Sequence, residues 1–287
     1  QPAIVWLSYN VHGNEAVSTE AAMKTLYTLV TEKAAWLENL VVIMDPCINP
    51  DGRDRYVNWY NQVKSYPFDG KPIANEHYED WPGGRYNHYY FDLNRDWAWV
   101  SQKETQQRLK EYHKWYPQIH VDFHEQGINE PYYFAPAAEP FHEIISDFQR
   151  DFQTKIGKNH ARYFDKEGWM YFSKEIFDLL YPSYGDTYPT YSGSIGMTFE
   201  QGGSGRAGLA VITQVGDTLT LQNRVDHHVT TGLSTVEMSS KNNDKLIKEY
   251  QSFCANKNYK YKSYVISGPQ NKLQPLLELM KKNEIKV

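Results

Sequence analysis

The sequence predicts an α/β protein built around a largely parallel central sheet. Short, continuous apolar runs that are typical of buried strands alternate along the chain with segments whose apolar residues recur at helical spacing. Polar residues of the kinds that carry chemistry follow three of these runs directly. Open α/β sheets place their functional sites at the carboxyl ends of strands, so polar residues directly after the apolar runs support the prediction that these runs are strands.

The first part of the chain follows a β-α-β pattern. Residues 3–9 (AIVWLSY) and 40–44 (LVVIM) are predicted to be buried strands, and residues 18–39 between them carry apolar side chains at helical spacing. Residues 46–91 are rich in Pro, Gly, Asn and Tyr and show no clear period. A loop of that length inside a compact domain is usually functional, so we expect this segment to contribute to a site.

The remaining elements continue the alternation. Ser101 and Glu104 form a capping-box pattern that predicts a helix running to residue 116. The same kind of reasoning predicts strands at residues 119–123 and 195–199 and helices at residues 141–161 and 217–232, the last capped by Asp217.

The composition changes near residues 234–243, where Ser, Lys and Asn predominate, and this change predicts a linker. Beyond it the pattern predicts a helix, a strand, a second helix and the start of another strand, at residues 244–256, 262–266, 270–283 and 284–287. We therefore expect residues 1–235 to form one domain, and residues 236–287 to comprise the linker and the start of a second α/β domain.

Composition and charge exclude several classes of protein. The 287 residues are 40% hydrophobic and 23% charged, an ordinary balance for a globular chain. The net charge of -5 is spread without blocks of like charge, which argues against a nucleic-acid partner, and no apolar run is long enough to span a membrane. Only two cysteines are present, which excludes a disulfide scaffold and a four-thiolate zinc site. The 23 tyrosines and 8 tryptophans favour a polar cleft.

The first chemical motif is the segment His12-Gly-Asn-Glu15, directly after the first predicted strand. An imidazole and a carboxylate three residues apart can bind one zinc ion from a tight turn. The best third ligand is His124, at the end of a predicted strand, because His120 lies inside that strand and is expected to pack. Two histidines, one glutamate and an open fourth position are typical of a catalytic zinc site. Alternatively, His12 is a residue of a turn, Glu15 is a charge at a helix start and His124 is a surface histidine.

A catalytic zinc site also needs a general base and groups that hold the substrate. Glu200 ends the buried strand at residues 195–199, where a carboxylate is an uncomfortable structural choice. Near the end of the long polar loop, Arg85 could stabilise an oxyanion, and Arg95 beside Asn94 could clamp a carboxylate. Solvated charges and surface salt bridges are the alternative interpretation of the same residues.

Taken together, these segments resemble the zinc metallocarboxypeptidases of the carboxypeptidase A/B and N/E kinds. The family order of motifs is H-x-x-E, N-P-D-G, an arginine before N-R, a histidine and a glutamate. Over about residues 3–232 the matching segments are His12-x-x-Glu15, Asn49-Pro-Asp-Gly52, Arg85, Asn94-Arg95, His124 and Glu200. The segment GRYNHYYFDLNRD is most similar to the N/E branch. The resemblance implies a mixed, twisted central sheet with helices on both faces.

The resemblance implies a role for each residue at the metal. His12, Glu15 and His124 would bind one zinc ion. Glu200 would be the general base for the attacking water and later the general acid for the leaving amine. Asp92 would match the carboxylate that orients a zinc-bound histidine, here His12.

The resemblance also implies how a substrate is held. Arg85 would polarise the scissile carbonyl and hold the oxyanion, and Asn94 and Arg95 would bind the free C-terminal carboxylate of a peptide. The family has a tyrosine that closes over the substrate. Direct alignment places no tyrosine at that position, so Tyr181 and Tyr184 are both candidates.

Two departures from the family concern specificity and completeness. The position that sets side-chain preference corresponds to Gly185, and the absence of an acid there argues against a preference for basic C-termini. Family members usually carry several dozen residues before the H-x-x-E strand, whereas His12 lies near the start of this sequence. We therefore expect the N-terminal strands of the catalytic domain to be absent from this chain.

The resulting prediction is a zinc metallocarboxypeptidase that removes the C-terminal residue of a peptide. One alternative is a zinc amidohydrolase that acts on N-acyl amino acids or cell-wall peptides, and another is a non-catalytic carboxylate-binding module. Retention of all three ligands, the base and both arginines favours an enzyme. The sequence allows no prediction of the oligomeric state. By resemblance the protein is expected to be secreted or periplasmic, although residues 1–9 are expected to enter a strand directly rather than to form a signal peptide.

Overall fold

The computed structural model describes residues 1–256 and 260–287. The strands of the described residues are β1 (Ala3–Tyr9), β2 (Leu40–Asp45), β3 (Ile119–Gln126), β4 (Tyr132–Tyr133), β5 (Tyr171–Phe172), β6 (Ile195–Gly202), β7 (Ala210–Ile212) and β8 (Thr218–Thr220). Six of them form one sheet in the order β2-β1-β3-β6-β4-β5, and β7 pairs with β8 in a separate hairpin.

Most of the central sheet is parallel. β1 pairs in parallel with both β2 and β3, and β3 pairs in parallel with β6. β6 then pairs antiparallel with β4, which pairs in parallel with β5. The antiparallel step between β6 and β4 makes the sheet mixed, so the predicted mixed α/β fold is confirmed.

The α-helices of the described residues are α1 (Val17–Thr31), α2 (Pro50–Val63), α3 (Lys103–Trp115), α4 (Asp147–Glu167), α5 (Thr187–Tyr191), α6 (Leu221–Lys241), α7 (Asn243–Ala255) and α8 (Gln270–Lys282). Short 3-10 helices lie at Ala34–Leu37, Asn75–His77 and Leu93–Arg95. Within the described ranges, no helix combines the length and the apolar character that crossing a membrane requires.

The alternation of side chains along β1 shows that helices cover both faces of the sheet. Val5, Leu7 and Tyr9 lie in the main core, together with residues of α1, α4 and α6. Trp6 lies instead in a second cluster that includes Leu109 of α3. Because successive residues of a strand face opposite sides of the sheet, α3 covers the face that α1, α4 and α6 leave open.

Three helices begin later than predicted. In one the predicted cap residue is hydrogen-bonded to another side chain, and in the other two a later residue is the N-cap. The carboxylate of Asp96 accepts hydrogen bonds from the hydroxyl and the backbone N–H of Ser101, so this serine does not cap α3. Ser146 caps α4, which therefore begins well after residue 141. Thr220 caps α6, and Asp217 lies in the turn before β8.

The predicted loop at residues 46–91 contains a complete helix, α2. Asn49 Oδ1 accepts the backbone N–H of Gly52 at 2.9 Å, and Pro50 occupies the first helical turn. The buried residues of α2 are Gly52, Tyr56 and Tyr60. This buried stripe has one residue per turn and starts with a glycine, which is why apolar periodicity does not predict the helix.

The linker predicted at residues 234–243 is wrong, because α6 continues to Lys241. The hydroxyls of Thr235 and Ser239 each donate to the backbone carbonyl one turn earlier, both at 2.8 Å. These internal hydrogen bonds allow a Ser- and Thr-rich segment to form a buried helix. Leu246 of α7 also lies in the main core. The start of a second domain within residues 236–287 stays a prediction.

The two strands predicted at residues 262–266 and 284–287 are also wrong, whereas helices occur as predicted at α7 and α8. Tyr264 and Val265 are 78% and 98% exposed, and no strand of the described residues pairs with them. A strand-like composition forms a stable strand only where a neighbouring strand and an apolar surface are available.

Candidate active site

Three of the predicted residues converge at the carboxyl ends of β1 and β3. One donor atom from each of His12, Glu15 and His124 lies within 4.8 Å of the others. His12 Nδ1 is 2.8 Å from Glu15 Oε1, and His124 Nδ1 is 3.1 Å from Glu15 Oε2. The two Nδ1 atoms are 3.2 Å apart. All three residues are buried, so the arrangement is a compact and enclosed set of metal donors.

The opposite nitrogen of each imidazole meets a further carboxylate. His12 Nε2 lies 2.9 Å from Asp92 Oδ1, and His124 Nε2 lies 3.0 Å from Asp122 Oδ2. A carboxylate at Nε2 favours the tautomer with its proton on that nitrogen, which leaves Nδ1 as a lone-pair donor. In their neutral forms both imidazoles therefore direct Nδ1 towards Glu15, and this set of donor atoms fits a zinc ion.

A turn after β1 positions the first two donors. Asn10 has a φ of 60°, and its amide donates to the backbone carbonyls of His12 at 2.8 Å and Glu15 at 3.0 Å. A Cβ atom at Gly13 would overlap the backbone of Gly52 at the start of α2, so this position requires glycine. The H-x-x-E turn and the N-P-D-G helix start therefore pack directly against each other.

Strand register places the predicted base beside the third donor. His124 and Glu200 are direct partners in the parallel ladder between β3 and β6. Adjacent strands are about 4.8 Å apart and paired residues face the same side, so the two side chains are neighbours. Both strands run past the predicted ends, so these residues lie within the strands.

Arg85 is held at the edge of the donor set by two carboxylates. Its Nε and Nη2 atoms lie 3.1 and 2.9 Å from Asp92 Oδ2, and its Nη1 atom lies 3.5 Å from Glu15 Oε1. Its backbone carbonyl accepts a hydrogen bond from Asn49 Nδ2 at 3.1 Å. The guanidinium is thus a cation held at the rim of the donor set.

A second cation lies nearby on the 3-10 helix at Leu93–Arg95. The Arg95 guanidinium stacks on the ring of Tyr184, 4.6 Å from its centroid, and both residues line the same cleft. The hydroxyl of Tyr181 accepts a hydrogen bond from Trp99 Nε1 at 2.8 Å, and its ring packs on Tyr184. Of the two candidate tyrosines, Tyr184 is therefore the one that reaches the cleft.

Asp122 is a site residue that the sequence analysis missed. It is fully buried, and its carboxylate occupies the space that a Cβ atom at Gly185 would need. The backbone N–H of Gly185 also donates to Asn94 Oδ1 at 2.8 Å, and Asn94 Nδ2 lies 3.3 Å from His124 Nε2. The glycine is thus explained by packing against Asp122. The spacing of two residues between Asp122 and His124, which places them on one face of β3, is the signal that was available.

The cleft formed by these side chains has a volume of about 300 Å³. Its cationic side is formed by Arg85 and Arg95. The lining also includes Asp186, whose carboxylate accepts hydrogen bonds from the hydroxyls of Thr187 and Thr198, both at 2.9 Å. The cleft is therefore polar and carries charges of both signs.

Burial and neighbouring charges shift the protonation equilibria of the site in different directions. Burial alone would raise the pKa of Glu15, but His12 and His124 hold it well below its usual range. Burial would lower the pKa of His124, but Asp122 and Glu15 raise it well above its usual value. Burial raises the pKa of Glu200 to about 8. A carboxyl group with a pKa near neutrality is suited to accept and to donate a proton.

A family model described as zinc carboxypeptidase matches residues 1–206. The matched range contains every predicted site residue, from the H-x-x-E turn to the carboxylate on β6. No curated protein matches the chain in sequence.

Several solved structures share the fold. A metallo-carboxypeptidase from Burkholderia cenocepacia has a TM-score of 0.58 and 14% identity, over 84% of this chain and 58% of that chain. A metallo-carboxypeptidase from Pseudomonas aeruginosa, in complex with (2-guanidinoethylmercapto)succinic acid, has a TM-score of 0.51 and 14% identity, over 86% and 58%. Thrombin activatable fibrinolysis inhibitor has a TM-score of 0.54 and 13% identity, over 84% and 66%. The chain thus spans less than two thirds of the length of the two bacterial proteins.

Proposed function

Because the chain belongs to the zinc carboxypeptidase family, we propose that it is a zinc-dependent metallocarboxypeptidase that hydrolyses the C-terminal peptide bond of a peptide. The observation that carries this proposal is the set of donors from His12, Glu15 and His124 next to Glu200 in one cleft. A non-catalytic carboxylate-binding module would use the two arginines of the cleft but would have no need for the donor set or the base.

His12, Glu15 and His124 are the proposed zinc ligands. A zinc ion bound there would supply Lewis acidity, which activates water and polarises a carbonyl group. Asp92 is hydrogen-bonded to His12 Nε2, and Asp122 faces His124 Nε2 as an ion-pair partner at 3.0 Å, so both Nδ1 atoms are directed at the same point.

Glu200 is the proposed base and acid. Its carboxylate takes a proton from the attacking water while the water oxygen bonds to the scissile carbonyl carbon. It then gives that proton to the amide nitrogen while the C–N bond breaks, so that a shortened peptide and a free amino acid leave. The raised pKa of Glu200, about 8, makes its carboxylate a stronger base in the first step and lies close enough to neutrality for the carboxyl group to return the proton in the second.

The two cations of the cleft are proposed to hold the substrate. Arg85 is positioned by Asp92 and donates to the carbonyl oxygen as negative charge develops on it. Arg95, with Asn94 beside it, binds the terminal carboxylate through charge-assisted hydrogen bonds. Tyr184, which stacks on Arg95, is the proposed side chain that covers the bound residue.

The test uses an N-blocked peptide with a free C-terminus, its C-terminally amidated copy, and zinc-loaded protein. The wild type should release the C-terminal residue from the free acid only. Glu200→Gln should lower turnover by at least about 100-fold, because only proton transfer is removed. Metal analysis should find the same zinc content in the variant. Glu143→Gln, at an exposed glutamate, is the matched control and should keep full turnover.

Other outcomes would favour the alternatives. Equal rates on free and amidated peptides would exclude an exopeptidase. Turnover of N-acyl amino acids or cell-wall peptides, without release from ordinary peptides, would indicate the amidohydrolase. A protein that binds no zinc would be a carboxylate-binding module. The secreted or periplasmic location stays a prediction from the family resemblance.

A further inference from the structure

A buried ion pair that has no role in the proposed reaction lies next to the donor set. Arg224 Nη1 is 3.0 Å from Glu125 Oε2, and the two side chains are 4% and 1% exposed. Glu125 directly follows His124 on β3, and successive residues of a strand face opposite sides of the sheet. The Glu125 side chain therefore lies on the face that α1 and α6 cover, where Arg224 in the first turn of α6 also donates to the backbone carbonyl of Gly208.

The carboxylate of Glu125 takes the place of a capping side chain for α1. This helix begins at Val17, and its N-cap residue, Ala16, has no side chain that could accept a hydrogen bond. Glu125 Oε1 instead accepts the backbone N–H of Val17 at 3.0 Å. The helix dipole also favours a carboxylate at a helix N-terminus. A residue of β3 that is 108 positions away in the chain therefore holds the start of α1.

The main chain of Glu125 contacts the proposed metal ligand that precedes this helix start. Glu15 lies two residues before Val17, and its Oε2 atom accepts the backbone N–H of Glu125 at 2.9 Å. Glu125 thus binds residues 15–17 at two points, through its main chain at Glu15 and through its side chain at Val17. Because the side chain holds the backbone of this short segment, it limits where the Glu15 carboxylate can lie relative to His12 and His124.

Packing around the ion pair leaves the Glu125 carboxylate little freedom. A Cβ atom at Gly203 would overlap Glu125 Oε2 and would lie 3.1 Å from Arg224 Nη1, so this position requires glycine. Apolar side chains can often replace a buried ion pair without loss of stability, so stability alone does not explain a charged pair here. An apolar residue at position 125 would, however, leave the N–H of Val17 without its acceptor. The carboxylate supplies that acceptor, and Arg224 neutralises its charge.

We propose that Glu125 is a positioning residue for the zinc site and that Arg224 is its counter-ion. By accepting the N–H of Val17, Glu125 fixes the start of α1 and thereby holds the Glu15 carboxylate in the orientation that completes the donor set. This inference rests on the proposed function and deepens it, because it assigns to the metal site a pair of residues that contact neither the metal nor the substrate.

The test compares two double variants that both remove the ion pair. Glu125→Gln with Arg224→Met keeps an oxygen acceptor for the N–H of Val17, whereas Glu125→Met with Arg224→Met does not. Zinc affinity is measured by competition with a chelating dye, and the visible spectrum of the Co²⁺-loaded protein reports the geometry around the metal. The first variant should stay within about threefold of wild-type affinity with an unchanged spectrum. The second should lose about 10- to 100-fold in affinity and show shifted Co²⁺ bands.

Two further variants separate positioning from general stability. Glu125→Asp keeps the charge but withdraws the acceptor by one methylene group, so it should shift the Co²⁺ bands and lower zinc affinity several-fold. The matched control is Glu237→Met with Arg162→Met, which removes an ion pair between α4 and α6, with its nitrogen and oxygen atoms 3.3 Å apart. This control should lower the urea midpoint of the metal-free protein, because Glu237 also accepts a hydrogen bond from Tyr163 at 2.9 Å. Its zinc affinity and Co²⁺ spectrum should equal those of the wild type.

Equal zinc affinities in the two Glu125 double variants would overturn the proposal, because the acceptor for Val17 would then have no effect on the metal site. An equal loss of affinity in the Glu237 control would also overturn it, since affinity would then follow stability alone. The proposed function is tested separately, by release of the C-terminal residue from the free-acid peptide. If the zinc-loaded wild type releases none while the two Glu125 double variants still differ in affinity, the proposed function fails and the positioning role stands.

Discussion

Two carboxylates behind the donor set determine the orientation of the proposed zinc ligands. Burial alone would raise the pKa of Asp92, but His12 and Arg85 hold it well below its usual range. Burial would likewise raise the pKa of Asp122, but the neighbouring His124 lowers it below its usual value. Both groups are therefore ionised at neutral pH, so each offers a full negative charge to the Nε2 atom of an imidazole.

Asp122→Asn tests this role without changing the size of the side chain. The variant loses the charge that faces His124 Nε2 at 3.0 Å, so the tautomer and orientation of the imidazole are less well defined. We expect zinc affinity, measured by competition with a chelating dye, to fall by about 10- to 100-fold. Asp217→Asn, at an exposed aspartate, should leave the affinity unchanged. An Asp122→Asn protein with wild-type affinity would show that this carboxylate serves packing only.

The residues of the site differ in how far the sequence could predict them. His12, Glu15, His124 and Glu200 were predicted because they belong to spaced motifs at strand ends. Asp122 and its contact with Gly185 could not be found in the same way, because the two residues are far apart in the chain. Motif spacing reports local chemistry, whereas the partners of a motif depend on tertiary packing.

At the scale of secondary structure, helix α2 links the parts of the site. Its cap Asn49 is buried and makes three hydrogen bonds. Its Oδ1 atom accepts the N–H of Gly52 at 2.9 Å, and its Nδ2 atom donates to the carbonyls of Val11 at 3.2 Å and Arg85 at 3.1 Å. One side chain thus joins the H-x-x-E turn, the helix start and the loop that carries Arg85.

Asn49→Ala should therefore lower the free energy of unfolding by more than the loss of a helix cap does. Loss of a cap alone costs about 1 kcal/mol, and the two further hydrogen bonds of the Asn49 amide raise the expected loss in the free energy of unfolding to about 3 kcal/mol. Urea denaturation measures this value. Thr220→Ala, which removes the cap of α6, is the matched control with an expected loss of about 1 kcal/mol. Equal losses in the two variants would contradict a linking role for Asn49.

The elements that were predicted correctly are those with strong local signals. β1, β2 and the helices of the α/β core have continuous or periodic apolar residues, and their order was sufficient to predict the sheet. β4 and β5 have only two residues each and exist through pairing with their neighbours. Residues 262–266 show the converse: their composition favours a strand, but no strand of the described residues pairs with them. Pairing partners are a property of the whole fold and are not encoded in a local window.

At the scale of the whole molecule, the core contains histidines that the proposed reaction does not use. His160 on α4 and His228 on α6 are fully buried, and burial lowers the pKa of each to about 3. His160 Nδ1 lies 2.8 Å from Ser234 Oγ, and its Nε2 atom has no hydrogen-bond partner among the described residues. Both imidazoles are therefore neutral in the folded protein, and neither can be charged without loss of core packing.

The depressed pKa of His160 predicts a loss of stability on mild acidification that this residue alone contributes. A histidine in the unfolded chain has a pKa of about 6.5, so below that pH the unfolded state binds a proton that folded His160 does not bind until about pH 3. The contribution of His160 to stability must fall as the pH falls through this window, and a change from pH 7 to pH 5 should cost about 2 kcal/mol through His160 alone. In His160→Gln that part of the loss should be absent, as measured by urea denaturation at both pH values with EDTA present. Leu29→Ala, which removes core packing and no histidine, should be less stable at both pH values with the wild-type difference between them. A His160→Gln protein with the wild-type pH difference would show that His160 becomes protonated in the folded state.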